Sequence, residues 1–144
     1  MTIRVIRKTR MKPKVPAAPL QVVVGFPRGR TTDFVISKAI WNEFGTRRIP
    51  ERPFFRRAMR NGRRKYAALM AARAKQIVEQ KETTERALRQ LGTMAVGDIQ
   101  HEITVLRHPP NAPATIRAKG SSKPLIDTGE MRQSVTYQIR GGRP

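Results

Sequence analysis

Cysteine is absent from the 144 residues, so no disulfide can staple this chain and no thiolate can hold a metal. That suits assembly in a reducing cytoplasm. Histidine occurs twice, at His101 and His108, which leaves carboxylates to supply most of any metal or acid–base site. Long apolar runs are missing too. No stretch reaches the ~18 residues a membrane-spanning helix requires, and the start MTIRVIRKTRMKPK lacks the apolar core of a secretory leader. The expected protein is soluble, not exported by the usual route, and has no membrane contact. Catalytic signatures are also lacking: no glycine-rich phosphate cradle follows a strand, and neither GxSxG nor HExxH occurs. Asp98, His101 and Glu102 fall one turn apart on a predicted helix, where an exposed polar face accounts for them. No enzymatic activity and no cofactor is expected.

Acids are scarce as well: 30 lysines and arginines face 10 acids, 30 − 10 = +20, with a pI near 11.8. Such a field calls for an acidic partner, either nucleic acid or an anionic protein surface. Zinc-finger spacing, an RNP-type aromatic strand and a basic region running into heptads are all missing. Any DNA contact would therefore go through phosphates, without sequence preference and with steep salt dependence.

Residues 1–18 carry Arg4, Arg7, Lys8, Arg10, Lys12 and Lys14 with no acid, and prolines at 13 and 16. Like charges repel and prolines stiffen, so this reads as an extended basic arm that orders against a partner, or as a disordered tail, with Ile3, Val5 and Ile6 as a candidate edge strand. Residues 19–140 read as one domain and 141–144 as a tail. LQVVVGF, residues 20–26, is a β-branched run bounded by prolines, a strand that pairs with residues 134–140 or shares their sheet. Thr31, Thr32 and Asp33 offer caps for a helix ending at Gly45, with Phe34, Ile36, Ala39, Ile40 and Trp41 as its apolar set. Trp41 and Phe44 are expected to anchor the core.

The loop TRRIPERP leads to Pro53, which suits the first turn of a helix running to about Gln80. Phe55, Met59, Tyr66, Leu69, Met70, Ile77 and Val78 trace one side of it, and Gly62 is a soft point for a bend. Arg52, Arg56 and Arg60 recur every four residues, and with Arg47, Arg48, Arg63 and Arg64 they make a cationic ridge suited to carboxylate or phosphate. A second long helix starts at Thr83 or Thr84 and carries the clearest amphipathic stripe: Leu88, Leu91, Ala95, Ile99, Ile103 and Leu106. The two long helices should pair antiparallel. His108, Pro109 and Pro110 end the second. The loop NAPATIRAKGSSK is long for a connection without structure of its own, and such loops tend to be functional; Arg117, Lys119 and Lys123 are its candidate contacts.

The segment KPLIDTGEMRQSVTYQIR closes the chain. Leu125 and Ile126 dip into the core, and Asp127 or Thr128 caps a single helical turn through Glu130, Met131 and Arg132. Val135, Tyr137 and Ile139 then alternate as a strand with one buried face. The fold class read from these elements is α+β. A small, mainly antiparallel sheet packs against two long helices, with one short additional helix and the basic arm.

Two segments say more than their physics. WNEFGTRRIPERPFFRRAM, residues 41–59, and PPNAPATIRAKGSSKPLIDTGEMRQSVTYQIR, residues 109–140, resemble the paired signatures of the neck and tail-completion proteins of long-tailed bacteriophages. The resemblance covers about residues 20–140 and leaves the arm outside. It implies that Trp41, Phe44, Gly45, Pro50, Pro53, Phe54, Leu125, Ile126, Asp127, Thr128, Gly129 and Ser134 are structural motif positions. It also implies a subunit of the head-to-tail connector, assembled in the host cytoplasm into a ring that is commonly sixfold and surrounds the DNA channel in the virion neck. No catalytic residues come with it. The expected partners are further copies, other connector or tail proteins with acidic surfaces, and packaged DNA through its phosphates. The reading from charge alone is a non-specific nucleic-acid-binding protein of ribosomal or architectural type.

Overall fold

A computed structural model describes residues 20–141. The basic arm, with its candidate edge strand and cations, and the last three residues lie outside the described residues. The elements run β1 (Leu20–Gly25), α1 (Asp33–Phe44), α2 (Phe54–Val78), α3 (Thr84–Val105), α4 (Pro113–Lys119), α5 (Glu130–Gln133) and β2 (Thr136–Gly141).

β1 and β2 pair antiparallel, from Leu20 opposite Gly141 to Gly25 opposite Thr136. A two-stranded sheet alone is marginal in water, and α3 lies against both strands. The register sets Val22 beside Ile139 and Val24 beside Tyr137, so these residues share a face by the two-residue period of a strand. Gly92 lets α3 approach that face: a Cβ there would lie 2.5 Å from Tyr137 Cγ. The alternation expected for β2 is blurred, since Thr136 through Ile139 are all half-buried, while Val135 just before the strand is fully in the core.

The long helices form the antiparallel pair expected. Arg57 and Asn61 reach Glu102, Tyr66 reaches Asp98, and Arg73 reaches Glu82 just before α3, so partner numbers fall as residue numbers rise along α2. The Thr83 side chain accepts the Arg86 N–H and starts α3. Gly62 does not interrupt α2, which runs unbroken from Phe54 to Val78. Its missing side chain instead makes room for Tyr66, whose Cζ would sit 2.2 Å from a Cβ at that position.

The core gathers where α2 begins and α3 ends. Val35 and Ala39 of α1, Phe54 and Ala58 of α2, Ile99, Ile103 and Leu106 at the α3 end, and Leu125, Met131 and Val135 near the C-terminus form one cluster. Phe26 meets Phe54 edge to face at 6.4 Å. The buried side of α2 is thus Phe54, Ala58 and Gly62, with Phe55 and Met59 flanking it; Val78 at the far end is half exposed. Pro53 supplies no side-chain cap to α2. Glu43, carried in from α1, accepts the N–H groups of Phe55 at 2.8 Å and Arg56 at 3.0 Å, placing a carboxylate at the positive end of the helix.

Candidate functional site

The predicted cations separate into three environments. Arg52 leaves the ridge altogether. It precedes α2, is 3% exposed, and bonds through Nε to the Pro109 carbonyl, through Nη1 to Asn42 Oδ1, and through Nη2 to the Pro110 carbonyl and Asn111 Oδ1. It therefore rivets the two signature segments together; the peptide bond between His108 and Pro109 is cis. Arg56 is committed to Glu43 and Glu51, whose hydrogen bonds raise its pKa. Arg60, Arg63 and Arg64 remain exposed. At 3.6 residues per turn, Arg56, Arg60, Arg63 and Arg64 span an arc of about 100°, opposite the Phe54–Ala58–Gly62 side.

The outer side of α1 differs from expectation. Trp41 and Phe44 do not anchor the core: they are 42% and 64% exposed, beside Phe34 at 61% and Ile40 at 51%. All four lie on one arc of about 120°. The helix is turned this way because Val35 and Ala39 fit against the core and Glu43 must point inward to cap α2. Phe44 is covered on one side by the Arg56 guanidinium, 5.1 Å from its centroid, and Phe34 by Lys38 at 4.9 Å. An apolar groove of about 310 Å³ runs alongside, walled by Val24, Phe26, Ile36, Ile40, Phe44 and Phe55.

On another side of α1 the two signature segments enclose a pocket of about 370 Å³. Gly45, at φ 74°, turns the chain out of α1, and a Cβ there would lie 3.0 Å from the Glu51 nitrogen. The Thr46 hydroxyl then accepts the N–H groups of Arg48 and Ile49. This turn brings Arg48, Ile49 and Pro50 to the pocket, while Arg47 remains exposed. From the other segment, Leu125 is buried and Ile126 packs on the core as expected. Thr128 Oγ1 accepts the Glu130 N–H, and Gly129, at φ 82°, begins α5. The Ser134 hydroxyl donates to the Glu130 carbonyl.

The preceding loop is not without structure: its middle forms α4, which begins on Pro113, ends on left-handed Gly120 and buries none of its residues. Helix periodicity over seven residues with no apolar face is too weak a signal to read. Lys119 of α4 lines the pocket, Arg117 is exposed, and Lys123 is half-buried.

Asp98, His101 and Glu102 do not make an exposed polar face. Asp98 receives Tyr66 and Lys65, and Glu102 is buried between the helices; His101 is exposed. The Asp98 carboxylate and burial together push the Tyr66 hydroxyl pKa upward, burial being the larger cause. Sequence reasoning missed Glu43 and Asn42, whose roles depend on partners 10 to 13 residues away.

No helix among the described residues is long and apolar enough to cross a membrane. No protein-family model matches the chain, and neither a curated protein nor a solved structure matches it.

Proposed function

We propose that this chain is a structural subunit of a phage head-to-tail connector, a neck or tail-completion ring that joins capsid to tail around the DNA channel. The observation that carries the reading beyond the resemblance is the outward aromatic face of α1. Four large apolar side chains there expose on the order of 400 Å², within the range of the largest patch on a typical monomer, which is often functional, and about half of what one partner contributes to a stable interface. On the connector reading its occupant is a second copy.

Sizing and electron microscopy of the full chain test this. The wild type should form closed rings, and a Trp41→Ser/Phe44→Ser variant should run as a monomer with unchanged circular dichroism. A wild type that stays monomeric at high concentration would overturn the proposal. The exposed ridge of Arg60, Arg63 and Arg64 favours the second reading, a non-specific nucleic-acid binder. That reading requires tight DNA or RNA binding by the monomer, with a log–log salt slope of about −0.9 per phosphate contacted.

A further inference from the structure

The pocket between the two signature segments holds positive charge that the subunit does not itself neutralise. Arg52 is 3% exposed, yet its side-chain acceptors are all neutral, two proline carbonyls and two asparagine oxygens. None of the ion pairs formed among the described residues involves it. A guanidinium cannot shed its charge at ordinary pH, and neutral dipoles offset only part of the cost of burying it. Lys38 of α1, Arg48 of the loop after α1 and Lys119 of α4 line the same pocket, against the carboxylates of Asp127 and Glu130. Four cations thus stand against two acids. Burial holds the Lys119 pKa below its ordinary value; Asp127 opposes that shift, and Lys38 and Arg52 add to it.

The walls between these charges are apolar, formed by Ile49, Pro50 and Leu125 among others. A concave site of about 370 Å³ lies at the small end of ligand-binding cavities and has room for one or two side chains. We propose that it receives an acidic side chain of a partner protein, presented beside an apolar residue. The carboxylate would meet Lys119 and Lys38 over the buried Arg52 charge. A duplex phosphate backbone fits less well, because a site with room for one or two side chains does not admit a run of regularly spaced phosphates and the exposed arginines of α2 lie outside the pocket. This gives the acidic partner of the connector reading a site, and to that extent rests on that reading.

The test is a titration of the full-length, isotope-labelled chain with the capped peptide Leu-Glu-Leu, followed by backbone amide spectra. The peptide should shift Asn42, Lys119, Thr128 and Gly129 saturably, and the Leu-Gln-Leu counterpart should bind about tenfold more weakly, as loss of a charge-assisted hydrogen bond implies. Lys119→Met should lose the discrimination between the peptides while keeping a folded spectrum, and Lys38→Met provides a second variant away from the Arg52 rivet. Equal binding of the two peptides overturns the proposal. So does a response to inorganic phosphate or a short DNA duplex at the same amides that matches the glutamate peptide. Ring formation is scored separately by sizing: its absence with peptide discrimination intact counts against the connector reading and leaves the pocket standing.

Discussion

Arg56 donates three hydrogen bonds to Glu43, from its backbone N–H to Oε1 at 3.0 Å, from Nε to Oε1 at 2.9 Å and from Nη2 to the Glu43 carbonyl at 2.8 Å. The same carboxylate caps Phe55, so the end of α1 and the start of α2 form one polar joint over the core. Glu43→Ala removes the caps of two backbone N–H groups and should cost about 2 kcal/mol, read as a lower urea midpoint with unchanged slope. An unchanged midpoint would show the joint to be dispensable.

The joint also decides which arginines can be used to test the ridge. Arg56→Glu places a third carboxylate beside Glu43 and Glu51 and should lower the melting temperature. Arg60→Glu and Arg64→Glu, on exposed residues, should leave melting unchanged and, on the proposed connector reading, abolish head-to-tail joining in a complementation assay. Normal joining by the double variant would remove the ridge from the assembly contacts.

Gly92 and Gly97 lie on the same helix and should respond oppositely to alanine. At Gly92 a Cβ would meet the root of the Tyr137 ring at 2.5 Å, whereas nothing lies within 4 Å at Gly97. Gly92→Ala should destabilise by about 1–3 kcal/mol through overpacking against the sheet, and Gly97→Ala should stabilise by about 0.5–1 kcal/mol through helix propensity. Denaturant unfolding of the two single variants checks the contrast.

Tyr66 predicts a loss of stability in alkali. Its hydroxyl donates to Asp98 Oδ2 at 2.5 Å, and its pKa is raised in the folded chain. The unfolded state therefore gives up this proton first, and the stability it contributes is present below about pH 10 and lost as pH rises beyond that toward the folded pKa. Urea midpoints should fall from about pH 9 to about pH 11, and the fall should be smaller in Tyr66→Phe. Equal falls in both proteins would sink the assignment.

Local pattern determined a good deal of this protein. The β-branched run of 20–26 and the alternation of 135–139 mark the two strands, and the stripe from Leu88 to Leu106 marks a helix with one buried face. Thr83 caps α3 three residues on, Thr128 bonds two residues on, and Gly129 turns the chain at its own φ of 82°, so these local roles were legible. The same holds for Leu125 and Ile126, the aliphatic plugs just before a turn. The charge of +20 follows from composition alone.

Tertiary structure decided what depends on a distant partner. Helix α1 is apolar on two sides, so periodicity could not say which one faces the core. The answer came from the packing of Val35 and Ala39 in the core cluster and from the bonds of Glu43 to the α2 N-terminus, which left Trp41 and Phe44 outside. Gly62 read as a flaw in a helix until the Tyr66 ring supplied its reason. Arg52 read as one member of a four-residue cationic repeat, yet acceptors 57 to 59 positions further along the chain draw it inside. Spacing along a helix reports which side chains share a face; whether that face meets solvent, core or another carbonyl is settled only when remote segments pack.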